Sequence, residues 1–226
     1  MNLFIITGTT KGLGKSFYTI LSHNPDNIII TINRSDIKND KGNFNLCIDL
    51  AKITDKDIKN FQDLLKNKLT VNIKKIVFIN NAFTMGELSK IDNLNSEDII
   101  KSININLISS ILLIKEYINV TKEIAIDKIV INITSGASKK PIDGWSIYCL
   151  SKSAIEMFIK SIGLEYSEYR CFNVEPGVMD TQMQSQIREF KDSKSYDYFD
   201  NLFQNQQLKN TDDTARNIIK EYLLGT

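Results

Sequence analysis

Tyr148, Lys152 and Ser135 are of types, and at a spacing, that could move a proton. Tyr148 and Lys152 lie four residues apart in "YCLSK", and Ser135 lies thirteen residues before Tyr148 in "TSGAS". Four residues are one helical turn, so phenol and ammonium share a face. A free tyrosine has a pKa of about 10, too high for a base at neutral pH. Lowering it by about three units takes roughly 4 kcal/mol of preferential stabilisation of the phenolate, and a nearby ammonium supplies much of that. A serine hydroxyl placed beside it can hold a substrate oxygen while the tyrosine gives or takes the proton. Tyr-x-x-x-Lys alone is a weak signal that many surface helices contain by chance. The bland readings are turn capping for Ser135 and core packing for Tyr148. The set gains weight because it follows a buried strand and shares the chain with a glycine loop.

That loop is "ITGTTKGLGKSF", residues 6–17. The P-loop pattern G-x-x-x-x-G-K-[ST] finds Gly14, Lys15 and Ser16, but its first glycine falls on Thr9. The pattern G-x-G-x-x-G finds Gly12 and Gly14, then fails at Phe17. T-G-x-x-x-G-x-G fits in full with Thr7, Gly8, Gly12 and Gly14. In each pattern glycines let backbone N–H groups approach a phosphate at a helix N-terminus.

The elements that must position these residues alternate along the chain. Apolar runs predict strands at 3–7, 27–33, 44–48, 75–80, 128–134 and 171–174. Helices are expected from the glycine loop to Ser22, from Thr54 or Asp55 to Lys68, from Ser96 to Val120 and from Ser146 to Glu168. Apolar runs without polar alternation suit a parallel sheet covered on both faces. Strands alternating with helices make a doubly wound α/β fold, with ligands at the carboxyl ends of its strands. One domain is expected across 1–226. The segment 180–210 is polar but carries Phe190, Tyr196, Tyr198, Phe199 and Phe203, and reads as a lid over a pocket.

Composition narrows the classes. The chain has 226 residues and a formal net charge of +1, which implies neither nucleic acid nor an acidic membrane as partner. Its three cysteines are scattered and no signal peptide is visible, so reduced thiols and a cytoplasmic location are expected. No apolar run is long enough to span a bilayer. His23, the one histidine, sits in the polar turn "SHNPDN", which argues against a Ser-His-Asp hydrolase or a His/Cys zinc site. No metal is expected.

Taken together, "TGTTKGLG", "NNA" at 80–82, "NL" at 106–107, Ser135, "YCLSK" and "PGVMDT" at 176–181 resemble the short-chain dehydrogenase/reductase family from residue 1 to about 190. The strings "NITSGASKKPIDGWSIYCLSKSAIEMF" and "EPGVMDTQMQSQIR" are most similar to its benzil reductase and sepiapterin reductase branch. The resemblance implies a Rossmann-type three-layer fold, a nicotinamide cofactor and a small-molecule carbonyl substrate. It implies Tyr148 as general acid, Lys152 as modulator of its pKa and ribose ligand, Ser135 as partner of the substrate oxygen, and Asn106 as holder of a proton-relay water. Asn104 is the nearby competitor for that last role. For the cofactor it implies Gly8, Thr10, Lys11, Gly12, Leu13 and Gly14 around the phosphates, Asp49 and Leu50 at the adenine, and Asn81 at a ribose. Pro176, Val178 and Thr181 follow at the nicotinamide. Homodimers through the helices at 96–120 and 146–168 are also implied; Ile103, Leu107, Ile111, Ile114 and Ile118 form an apolar stripe there, and Ser109 and Ser110 permit close approach.

The chain departs from the family pattern in three places. Phe83 stands where N-N-A-G has glycine, Glu175 precedes Pro-Gly, and no glycine-rich seventh strand follows "NIIKEYLLGT", so six strands are expected. Cofactor choice is read from the end of the second strand. An acidic residue there selects NADH by accepting from the ribose 2′-OH. Here "NIIITIN" ends in Asn33, then Arg34 and Ser35, with no carboxylate before Asp36. A guanidinium matches a 2′-phosphate bidentately, and Lys11 can add a second charge, so NADPH is expected. The leading expectation is an NADPH-dependent carbonyl reductase. The alternatives are a non-catalytic NADP sensor, a 3-oxoacyl-type reductase and, a register slip away, a P-loop hydrolase.

Overall fold

The computed structural model describes residues 1–35, 42–70, 72–190 and 196–224. Six parallel strands form one sheet in the order β3-β2-β1-β4-β5-β6. They are β1 (Asn2–Thr7), β2 (Asn27–Asn33), β3 (Asn43–Cys47), β4 (Lys75–Asn80), β5 (Asp127–Ile133) and β6 (Tyr169–Val174). The order reverses between β1 and β4, and a crevice opens there at the carboxyl ends of the strands.

Successive strand residues point to opposite faces, and both faces are dry. Leu3, Ile5, Ile76, Phe78 and Val130 pack with Phe61, Leu65, Tyr117 and Ile159 on one face. These come from α2 (Asp55–Lys68), α4 (Ser109–Thr121) and α5 (Ser146–Glu165). Phe4, Ile6, Val77, Ile79 and Ile131 pack with Phe17, Leu21, Ala215 and Ile218 on the other. These belong to α1 (Gly12–Ser22) and α8 (Thr211–Ile219). That two-sided burial is why the strands read as unbroken apolar runs.

The expected elements are present with shifted ends and two internal changes. The helix expected over 96–120 is interrupted. After α3 (Ser96–Ile103), a π turn over Asn104–Ile108 precedes α4. The helix expected to reach Glu168 stops at Glu165, because the chain must turn there to enter β6. Segment 180–210 holds α6 (Gln182–Glu189) and α7 (Tyr196–Gln204), and a parallel bridge joins Met179 to Lys209. Its residues 191–195 lie outside the described residues, as does Asp36. The stripe assigned to subunit contact is corrected in part: Ile114, Ile118, Ser109 and Ser110 are buried within the protomer, whereas Ile103, Leu107 and Ile111 are half-buried. The exposed apolar side chains of those helices are Ile100, Ile108, Leu150, Met157 and Leu164. Among the described residues, no helix is long and apolar enough to cross a membrane.

Local chemistry explains where helices begin. Thr54, not Asp55, caps α2 in a reciprocal box: its hydroxyl accepts from Asp57 N–H at 3.3 Å, and its own N–H donates to Asp57 Oδ2 at 2.9 Å. Asn95 caps α3 and Asn210 caps α8. The N-terminus of α1 differs. Lys11 precedes it in extended conformation, no side chain caps it, and no acidic residue lies in its first turn.

Candidate active site

A cavity of about 910 Å³ runs along the carboxyl ends of the strands. One end is the glycine loop. Gly8 and Gly12 have φ of +73° and +55°, which side-chain-bearing residues rarely adopt. The loop is clamped from both neighbouring strands. Asn81, just past β4, donates its amide to the carbonyls of Thr7 and Gly8 at 2.9 and 3.0 Å. Thr7 Oγ1 accepts from the backbone N–H groups of Asn81 and Ala82. On the other side Asn33 Oδ1 accepts from Thr9 N–H at 2.7 Å. These bonds hold the uncapped N-terminus of α1 toward the cavity, with the donors and dipole that an anion needs. The residues present therefore fit a pyrophosphate.

The residues expected at the cofactor come together on one cavity. Gly8, Thr10, Lys11, Gly12, Leu13, Gly14, Arg34, Asp49, Leu50, Asn81, Pro176, Val178 and Thr181 all line the cavity. Three of them sit differently from the expectation. The Asn81 amide is committed to the loop, so its first task is to shape the cradle. Asp49 Oδ1 accepts from Ala51 N–H at 3.0 Å within its own turn. The Lys11 ammonium donates to Gln182 Oε1 on α6, tying the loop to the opposite wall. Arg34 is exposed and forms no ion pair among the described residues.

The proposed catalytic set meets at the middle of the cavity. Ser135 ends the run out of β5, and its hydroxyl caps the short turn Gly136–Ser138 by accepting from Ala137 N–H at 3.2 Å. Tyr148 lines the same cavity, and the Ser135 hydroxyl acts on its phenol in favour of the phenolate. Tyr148 and Lys152 project from one face of α5, both buried. The Lys152 ammonium donates to the Ile133 carbonyl at 2.7 Å. It also lies 3.1 Å from the centre of the Phe83 ring and 5.6 Å from that of Tyr148.

The electrostatics run opposite to the simple expectation of a lysine-activated phenolate. Burial pushes the Tyr148 phenol up to about 12, against the bond with Ser135, which favours the phenolate. Burial also holds Lys152 well below its ordinary value. Both charged forms lose hydration on burial, which favours the neutral phenol.

Asn106 is placed elsewhere. It is wholly buried, is absent from the cavity wall, and grips the backbone of Thr84: its Oδ1 accepts from Thr84 N–H at 2.8 Å and its Nδ2 donates to Thr84 O at 2.9 Å. The side chain thereby braces the wall carrying Phe83 and Met85. The competitor Asn104 donates to Ala51 O at 3.1 Å. Asn106 lies in the π turn, a geometry common at functional sites, which residue spacing does not reveal.

Two supports were missed in the sequence. Asn80, Asn132 and Asn173 sit in register on β4, β5 and β6 and form a ladder, with amide bonds of 2.9 and 2.7 Å. Ser110 of α4 donates to its near end, and its far end reaches the Glu156 carbonyl of α5. An asparagine near the end of each apolar run was the available signal. The second support is Glu156. Burial raises its carboxyl, but bonds from Ser138, Lys160 and Thr134 win and hold it below the usual range. It fixes the residues on either side of Ser135.

Beyond Tyr148 the wall is apolar: Met85, Ala137, Trp145, Ile187 and Phe199 form a third buried cluster. Phe199 of α7 stacks on Trp145 at 5.2 Å, and Trp145 meets Tyr148 edge-on at 5.9 Å. The buried Trp145 Nε1–H has no hydrogen-bond partner among the described residues. Tyr198 and Phe203 of the same segment face outward.

Comparison with known proteins agrees with this architecture. The family profile described as short chain dehydrogenase matches residues 2–192. A benzil reductase ((S)-benzoin forming) of Bacillus cereus is 36% identical over 202 residues, covering 84% of this chain and 80% of that protein. Sepiapterin reductase of Rattus norvegicus is 28% identical over 202 residues, covering 82% and 77%. The crystal structure of a short chain dehydrogenase/reductase from Saccharomyces cerevisiae superposes with a TM-score of 0.86 at 22% identity, covering 100% of this chain and 92% of that one. A glycine loop clamped between β1 and β4, a Ser–Tyr pair at the end of β5 and a profile match over most of the chain lead to one conclusion: this chain belongs to the short chain dehydrogenase family of oxidoreductases, in its benzil and sepiapterin reductase branch.

Proposed function

We propose that the protein is an NADPH-dependent carbonyl reductase acting on a bulky or aromatic ketone or dicarbonyl. The observation that carries this reading is that Ser135, Tyr148 and Lys152 line one cavity with the glycine loop. When bound, the nicotinamide cofactor supplies the hydride. Ser135 holds the carbonyl oxygen, and Tyr148, protonated because it is buried, donates its proton to that oxygen as negative charge develops. Hydride and proton together turn C=O into CH–OH. Lys152 orients the phenol and meets the ribose, and the apolar walls keep water out.

Preference for NADPH rests on Arg34. It stands past the end of β2 on the cavity wall, and residues 33–35 carry no carboxylate. Lys11, engaged with Gln182, is the weaker support. The substrate class rests on the Trp145–Phe199 wall and on the unpaired indole N–H, a donor suited to a second substrate oxygen. Relatives named benzil reductase and sepiapterin reductase support the same class. We further read 1–226 as one domain with 180–210 as its lid, acting in the cytoplasm.

The test is a panel of aromatic and aliphatic ketones and 1,2-dicarbonyls, followed by NADPH absorbance, with wild type and Tyr148→Phe. Turnover of at least one carbonyl that is lost in the variant, with NADPH binding retained, is expected. Wild-type rates in the variant would overturn the role of Tyr148. Cofactor binding without turnover of any carbonyl would favour a sensor.

A further inference from the structure

The Lys152 ammonium is nine-tenths or more buried and, among the described residues, donates to the Ile133 carbonyl at 2.7 Å. An ammonium gives up bulk hydration on burial, so each further contact with its charge counts. The nearest ring is that of Phe83, whose centre lies 3.1 Å from Nζ, against 5.6 Å for Tyr148. Phe83 occupies the position where the family pattern has glycine, a residue with no side chain to offer. It comes after Asn81 and Ala82, just past the end of β4 at Asn80, and Asn106 clamps the next residue, Thr84, through both backbone groups. The ring is thus delivered to Lys152 by a fixed piece of backbone.

We propose that Phe83 is a positioning residue that keeps Lys152 charged and in place: its negative π face lies against the buried ammonium and attracts its charge. The aromatic quadrupole attracts a cation and is strongest where solvent is excluded. The other titratable groups on the walls around Lys152 do not share this task. Tyr148 on α5 is held neutral by burial. Lys101 on α3 is exposed and of like charge. Glu175, past β6, pairs with Lys139 at 3.2 Å. Burial alone pulls Lys152 down, so removing the π face should lower it further.

The role of Lys152 is taken from the function proposed above, but the test uses the ligand-free protein and stands apart from catalysis. The protein is made with isotope-labelled lysine, and the Lys152 signal is titrated by NMR in wild type, Phe83→Leu and Phe83→Tyr. The Leu variant should titrate about one unit lower, the shift of a desolvated cation–π contact, and the Tyr variant close to wild type. A second series keeps the shape and drains the ring: fluorinated phenylalanines at 83, with one to five fluorines, should lower the midpoint stepwise. A Lys152 midpoint that stays fixed across the fluorinated series overturns the proposal and leaves Phe83 as a space filler. The fluorinated proteins also decide the matter if the Leu variant does not fold.

Discussion

Gly14→Ala opposes two effects of known size. Gly14 lies in the first turn of α1, and by helix propensity alone alanine there should stabilise by about 1 kcal/mol. The tertiary structure predicts the reverse. A Cβ at 14 would fall inside the 3.0 Å that real Cβ atoms keep from the Gly8 carbonyl oxygen and the Asn81 amide nitrogen, and 2.9 Å from the Gly8 carbonyl carbon. Two of those three atoms are backbone, and the third is clamped to Thr7 and Gly8. Relief means losing the two Asn81 bonds, about 1 kcal/mol each, and shifting a packed loop, about 1–3 kcal/mol. The net loss is about 2–4 kcal/mol, or a fall in Tm of about 5–15 °C for a chain of this size. Gly163→Ala is the control. It lies in α5, where a Cβ would meet Cys171 Cβ at an ordinary 3.4 Å, so helix propensity should prevail there and Tm should stay level or rise. Thermal unfolding with and without NADPH reads both effects. Wild type should gain stability with cofactor, and Gly14→Ala should lose most of that gain. A Gly14→Ala protein as stable as wild type, with the same cofactor-induced rise, would refute the clamp and the cradle built on it.

Arg34→Asp should reverse cofactor choice. Two-cofactor kcat/KM in wild type should favour NADPH tenfold or more, from a charge-assisted contact of about 1.5–3 kcal/mol, and the variant should favour NADH; equal use of both by wild type would remove Arg34 from the site. A homodimer is expected through the outer face of α5, where Leu150, Met157 and Leu164 recur at seven-residue spacing and Leu164 is 87% exposed. Sedimentation at micromolar concentration should show a species of twice 25.8 kDa that Leu164→Glu dissociates; a wild-type monomer alone would sink the dimer.

Much of the molecule was legible because its signals are local. The glycine loop, the buried strands and the Tyr148–Lys152 pair each depend on residues within a few positions of one another, where backbone geometry alone decides what they face. The order of the strands was not among these, since it depends on which distant runs pair. What the sequence could not show depends on contacts between distant residues. Lys11 reaches Gln182, 171 positions away. The ladder joins Asn80 to Asn132, 52 positions apart. Asn106, in the π turn, grips Thr84, 22 positions away. The same holds for charge. Sequence places an ammonium one turn from a phenol, and only the surrounding structure decides that both are buried, so that the phenol is pushed up rather than down. Proximity along a helix is set by its pitch, whereas desolvation is set by everything that packs around it.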